Sequence, residues 1–157
     1  MKVSIVSGKS EGPTRLNAFD NALTDAGIGD VNLIKVSSML EKKTSIVKLP
    51  KLKAGAMVNC VLSNITSSNP GETITACVAV AIGDNLGCVV ETTGVNVSNQ
   101  ENRKEAVQMV KYMMRKRNEK INQMIVEDST HTVENIGSVV ASVVYLNDDI
   151  IEKDTEE

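Results

Sequence analysis

From residue 45 to residue 93 the chain offers strand-like runs and little else. Met57–Thr66 and Thr73–Ile82 are dense in Val, Ile, Ala and Thr, and the turn Asn69-Pro70-Gly71 parts them. Leu86–Thr92 makes a further run that ends near Gly94, and Ser45–Leu49 a shorter one. So long a stretch without helical periodicity has to be built into sheets, which leaves helices to cover them. Lys2–Ser7 supplies an earlier strand, followed by a turn at Ser10–Pro13. Leu16, Phe19, Ala22, Leu23 and Ala26 then recur at helical spacing, with Pro13 ahead and Gly27 just beyond. Val31–Val36 is a strand that runs straight into Ser37-Ser38. Ser98-Asn99-Gln100-Glu101 reads as a capping box opening a helix to about Met124, which would bury Val107, Val110, Met114 and Ile121. Thr132–Glu134 and Gly137–Leu146 form the last strand region, and the acidic residues after Asp148 are expected to fray. With strands outnumbering helices, the class is α+β, helices packed on sheet faces. The 157 residues suit a single domain, 1–157.

Composition removes several functions. Phe19, Tyr112 and Tyr145 are the only aromatic residues, too few for a base-stacking platform. The basic residues Arg103, Lys104, Lys111, Lys116 and Lys120 share their helix with Glu101, Glu105 and Glu119. That is a mixed solvated face, so no nucleic-acid partner is expected. No run approaches the length of a membrane span, and the first residues lack a signal-peptide pattern. Cys60, Cys77 and Cys88 sit in apolar runs without paired spacing and read as buried reduced thiols. A cytoplasmic location is therefore expected, and no metal site, since His131 is the only histidine.

Two motif fragments lead nowhere. Ser7-Gly8-Lys9-Ser10 ends like a phosphate loop, but the glycine needed five residues before Gly8 is Val3. A Ser-His-Asp triad would have to use His131 in a Thr-His-Thr setting without a nucleophile elbow, so His131 reads as structural. Ser37-Ser38 taken alone is an ordinary turn pair. Its chemical potential is larger. A serine hydroxyl beside a strained peptide carbonyl can attack it, turning the amide into an ester. Elimination from that ester leaves a dehydroalanine, which water converts to an N-terminal keto group with release of ammonia. Such a ketone can join a substrate amine and accept the electrons freed by decarboxylation.

The run Gly27-Ile28-Gly29-Asp30-Val31-Asn32-Leu33-Ile34-Lys35-Val36-Ser37-Ser38 closely resembles the processing region of the pyruvoyl-dependent arginine decarboxylases. Ser10-Glu11-Gly12 and Leu16-Asn17-Ala18-Phe19-Asp20 fit that family upstream. Leu49-Pro50-Lys51-Leu52, Gly55-Ala56, Pro70-Gly71-Glu72-Thr73-Ile74, Ala79-Val80-Ala81-Ile82, the segment ending in Glu91, His131-Thr132-Val133-Glu134 and Gly137 follow in order. The similarity spans most of residues 3 to 146. Two segments depart from it. Relatives commonly continue past the second serine with Ile-x-Pro-Pro, where this chain has Met39-Leu40-Glu41-Lys42-Lys43, and Asn59–Ser63 lacks aromatic residues.

The resemblance implies cleavage between Ser37 and Ser38 into a β chain, 1–37, and an α chain, 38–157, with Ser38 becoming a covalent pyruvoyl group. It implies that Glu91 is the catalytic acid and that Asp20 binds the substrate guanidinium, a planar fork suited to a carboxylate. Asn32 would lie near the pyruvoyl group, Gly29 and Val31 would offer backbone carbonyls, and Leu16 would line the substrate's methylene stem. The implied fold is a layered sandwich of mainly antiparallel β-sheets flanked by α-helices. The implied assembly is a homotrimer or dimer of trimers with active sites shared between neighbours. The implied reaction converts L-arginine to agmatine and CO2, a step toward polyamines. Two alternatives compete: a pyruvoyl-dependent decarboxylase for another amino acid such as histidine or lysine, and an unprocessed, non-catalytic paralogue serving as an oligomer partner.

Overall fold

Side chains alternate across each strand of this protein, and both faces of both sheets are covered. The computed structural model describes residues 1–153. In chain order the elements are β1 (Lys2–Glu11), α1 (Arg15–Asp25), β2 (Asn32–Lys35), β3 (Met39–Leu40), β4 (Ser45–Ile46), β5 (Met57–Ser67), β6 (Thr73–Ile82), β7 (Gly87–Val95), α2 (Asn99–Lys116), β8 (Gln123–Thr132) and β9 (Gly137–Leu146). One sheet has the order β2-β5-β9-β1-β4, the other β3-β7-β6-β8. Only β1–β4 and β2–β5 pair in parallel; all other ladders are antiparallel. The expected layered α+β sandwich is what forms.

Three cores stack through it. Ile74, Ala76, Val78 and Val80 of β6 meet Val139, Ala141 and Val143 of β9 between the sheets. The intervening residues Cys77, Ala79 and Ala81 turn the other way, onto Ala106, Val110 and Met114 of α2. Val140 and Val144 of β9 likewise turn outward, joining Val58, Cys60 and Leu62 beneath Ala22 of α1 and Ala26, the cap at its end. Burial on both faces explains why β6 reads as an unbroken apolar run. Each fully buried valine contributes about 1.5–3 kcal/mol of transfer free energy against the entropy of ordering.

Local chemistry sets the ends of α1. Thr14 caps its start, its hydroxyl accepting from the Asn17 N–H at 3.1 Å. Gly27 follows its end at φ +86, a left-handed position that glycine adopts without steric cost. The helix lies close on β1 because position 8 is glycine. A Cβ there would stand 2.4 Å from the Ala22 carbonyl oxygen and 2.6 Å from the Ala26 nitrogen.

The structure departs from the sequence reading in five places. β1 runs on to Glu11, paired with Gly137, through residues expected to turn. β3 was not foreseen. α2 stops at Lys116 instead of near Met124. Ser98 caps its start as expected, Oγ accepting from the Glu101 N–H at 3.1 Å, but among the described residues the Glu101 carboxylate makes no return bond to Ser98. Asn118 then takes φ 54, the Glu119 carboxylate accepts from the Asn85 N–H at 2.6 Å, and the Asn122 N–H donates to the Ile82 carbonyl. That turn delivers residues 123–132 to the free edge of β6, where they pair as β8 over ten positions. Ile121 and Met124 still pack against the α2 cluster, from strand and turn instead of helix. Within α2 the fully buried apolar residues are Ala106, Val110 and Met114, with Val107 only half-buried. After Asp148 the chain does not fray at once. Asp148–Ile150 is a 3-10 turn with Ile150 buried, and Ile151 bridges to Leu52. The expected fraying of residues 154–157 lies outside the described residues.

Candidate active site

The segment from Val36 to Ser38 carries the chain from one sheet to the other. β2 is the edge strand of the first sheet, with Lys35 opposite Cys60 and the Val36 N–H donating to the Cys60 carbonyl at 3.0 Å. β3 is the edge strand of the second sheet, with Met39 opposite Cys88. Between them Ser37 is exposed and Ser38 half-buried. The Ser38 carbonyl accepts from the Val89 N–H at 2.9 Å. One residue on, the Met39 carbonyl accepts from the Tyr145 hydroxyl at 2.7 Å. The serine pair is thus strung between two rigid edges, anchored to β5 before it and to β7 and β9 after it. Among the described residues neither serine has a positive φ.

Two residues beyond Val89 on the same strand is Glu91, opposite Val78. It lines a cavity of about 310 Å³ together with Lys35, Leu62, Ser63, Asn64, Thr92 and Thr93. Glu91 is exposed by surface area in the single chain, yet the cavity walls still withdraw enough water to matter. Burial raises its carboxyl above the ordinary value, and the nearby Lys35 charge pulls it part of the way back. Ser63 forms the buried floor: its hydroxyl donates to the Thr92 carbonyl at 2.6 Å and accepts from the Cys77 N–H at 3.3 Å, tying the sheets together. Burial also raises the Cys60 thiol, and raises Cys77 to about 11, so both are held as neutral thiols at neutral pH.

A second cavity of about 270 Å³ shares Lys35 and Leu62 with the first. Its other walls are Phe19 and Leu23 of α1 with Val31, Asn32 and Leu33. The Asn32 side-chain amide donates to the Gly55 carbonyl at 3.1 Å, which fixes its orientation.

The expected site residues therefore divide. Ser37 and Ser38 form the crossover, Glu91 lines the first cavity, and Val31 and Asn32 line the second. Gly29 packs against Thr24 at the end of α1 and lines neither cavity. Leu16, 74% exposed, and Asp20, also exposed, are not among the lining residues of either cavity in the single chain, although they fall at helical spacing from Phe19 and Leu23, which line the second. Sequence reasoning missed Lys35, Tyr145 and Ser63. Lys35 left one signal, a lone cation between Ile34 and Val36 in an apolar strand.

His131 takes the structural part expected of it. Its Nε2 lies 2.6 Å from a Glu11 carboxylate oxygen, bonding β8 to the end of β1. Burial acts to raise Glu11, but bonds from the Asn135 N–H and from His131 outweigh it, so the carboxyl is held below its ordinary value.

The family model described as pyruvoyl-dependent arginine decarboxylase matches residues 2–150, a span that holds both sheets, both helices and the crossover. By class, then, the protein is a decarboxylase whose catalytic carbonyl is a covalently bound pyruvoyl group. A pyruvoyl-dependent arginine decarboxylase of Methanothermobacter thermautotrophicus is 56% identical over 147 residues, 94% of this chain and 97% of that one. One of Methanocaldococcus jannaschii is 42% identical over 143 residues, 89% of this chain and 86% of its own. The chain belongs to the pyruvoyl-dependent arginine decarboxylase family. A solved structure of pyruvoyl-dependent histidine decarboxylase at pH 8 covers 64% of this chain and 55% of its own at 14% identity, with a TM-score of 0.49, too remote a likeness to carry an argument.

Proposed function

We propose that the chain cleaves itself between Ser37 and Ser38 and then decarboxylates L-arginine to agmatine and CO2. The observation that carries this is the pairing of the crossover with Glu91: the strand that holds the Ser38 carbonyl also bears, two residues on, a carboxyl shifted toward its acid form. Cleavage would consume one water and release one ammonia, leaving residues 1–37 and a 38–157 fragment that begins with the keto group. That group supplies an electrophile for the substrate amine and a sink for the electron pair left by CO2.

The residues around it suit that use. Ser38 is held by its own carbonyl through Val89, so the anchor on its C-terminal side survives cutting of the bond before it. Glu91, whose carboxyl burial raises toward its acid form, gives its proton to the carbon that CO2 has left. Asn32, fixed by Gly55, presents a polar face in the second cavity beside Val31, and the Val31 and Gly29 carbonyls are assigned to the guanidinium, although Gly29 lines neither cavity of its own chain. Asp20 pairs with that guanidinium and Leu16 covers the methylene stem. Because both are exposed on α1 and line neither cavity of their own chain, we place them against the cavity of a neighbouring copy in a homotrimer or a dimer of trimers. No helix among the described residues is long and apolar enough to cross a membrane, and three buried free thiols support a cytoplasmic location.

The test joins intact mass to product analysis. The purified protein is expected as two fragments, the larger blocked by a ketone, releasing CO2 and agmatine from arginine. Ser38→Ala is expected to stay full-length and inactive. A wild-type protein that remains one full-length species after long incubation would refute the proposal.

A further inference from the structure

Lys35 and Leu62 are the residues that the two cavities have in common, and Lys35 is the charged one. It closes β2, two residues before Ser37, with Cys60 of β5 opposite. Among the described residues its ammonium forms no hydrogen bond, and no ion pair joins it to a carboxylate. Glu91 feels its charge across the first cavity without pairing to it. An unpartnered, exposed cation therefore stands on the wall that a cavity bearing an acid shares with one whose other walls include Phe19, Leu23 and Leu33.

The reaction proposed above decides what such a cation meets. The substrate's nitrogen must reach residue 38 and its α-carbon must reach Glu91, so the carboxylate on that carbon enters the cavity that Glu91 shares with Lys35. The apolar cavity beyond takes the methylene stem. We infer that Lys35 binds the substrate's α-carboxylate and thereby distinguishes the amino acid from its decarboxylated product. Resting on the decarboxylase reading, the inference adds a means of product release. Free arginine carries a carboxylate beside its two cationic groups, whereas agmatine keeps only the cations. The same ammonium attracts the one and repels the other once CO2 has gone. A single flexible lysine also suits the chemistry better than a bidentate clamp. A firm grip on the carboxylate would stabilise the ground state and slow its loss.

The test uses matured wild-type protein and two reversible inhibitors that cannot react through an α-amine. 5-Guanidinopentanoate keeps the carboxylate and butylguanidine lacks it. The acid is expected to inhibit arginine turnover about 10-fold more tightly than the neutral-ended compound, and the gap should narrow as salt rises. In Lys35→Met the gap should close, KM for arginine should rise about 10-fold, kcat per pyruvoyl group should change far less, and agmatine should inhibit more strongly. Lys35→Arg should restore the carboxylate preference. Equal inhibition by the two compounds in the wild type, or a gap that persists in Lys35→Met, overturns the inference, and the wild-type comparison decides even if the variant fails to mature. A wild type that releases no CO2 from arginine would instead defeat the reading in the preceding section.

Discussion

In the proposed reaction Glu91 works through its acid form, so its pKa direction carries a pH signature. Burial raises the carboxyl and Lys35 lowers it in part, while the Glu91 charge in turn helps to raise the Cys60 thiol. A raised acid stays protonated to higher pH, then is lost as pH climbs through its folded pKa, and activity should fall along that limb. Removing the Lys35 charge raises Glu91 further, so Lys35→Met should move the limb to higher pH in a kcat–pH profile. A shift to lower pH would contradict this electrostatic account. Glu91→Gln should still be cut into two fragments but lose roughly 10²–10⁴-fold in kcat, since an amide delivers no acid proton. Failure of that variant to mature would place Glu91 in cleavage as well.

At the scale of elements, the two-residue strand β3 is the piece the chemistry leans on. Met39–Lys43 has no proline to stiffen it, and hydrogen bonds do so instead. Val89 holds the Ser38 carbonyl, Tyr145 the Met39 carbonyl, and the Thr44 hydroxyl the Glu41 carbonyl at 2.6 Å, while Leu40 is buried between the sheets. The N-terminal ammonium adds an ion pair to Glu41 at 3.0 Å, an exposed contact of small value. Once the bond before Ser38 is cut, these contacts and the pairing of β3 with β7 on its C-terminal side keep residue 38 in place. Tyr145→Phe keeps the ring and its packing but unties Met39. A loss of about 1 kcal/mol in urea unfolding is expected, with slower maturation followed by mass. Unchanged maturation would show the hydroxyl to be dispensable there.

For the whole molecule, the placement of Asp20 and Leu16 is the informative fact. They are exposed on α1, one turn or less from Phe19 and Leu23, which line the second cavity. A site completed by a neighbour can be tested by mixing inactive chains. On the proposed reading, Asp20→Ala keeps its keto group but lacks the guanidinium partner, and Ser38→Ala has the reverse defect. Co-assembled in equal amounts, they should recover activity at roughly a quarter of their interfaces if sites are shared. Two copies that each hold a complete site would recover none. Light scattering on the same mixture measures the oligomer directly.

Residue order alone determined what depends on neighbours in the chain: the α+β class, the first helix between Pro13 and Gly27, the cap at Ser98, and the serine pair at a strand's end. Period and capping chemistry are local, so they can be read before any fold exists. The tertiary structure decided the rest, because long-range pairing sets it. The free edge of β6 drew residues 123–132 out of helical continuation into β8. The separation of the two sheets made Ser37-Ser38 a crossing instead of a turn, and it brought Lys35 of one sheet and Glu91 of the other to a single cavity, 56 positions apart in sequence. No spacing rule links such residues. Only the packing of β5 against β7, through Ser63 and the Thr92 carbonyl, brings them together and alters the proton affinity of the acid.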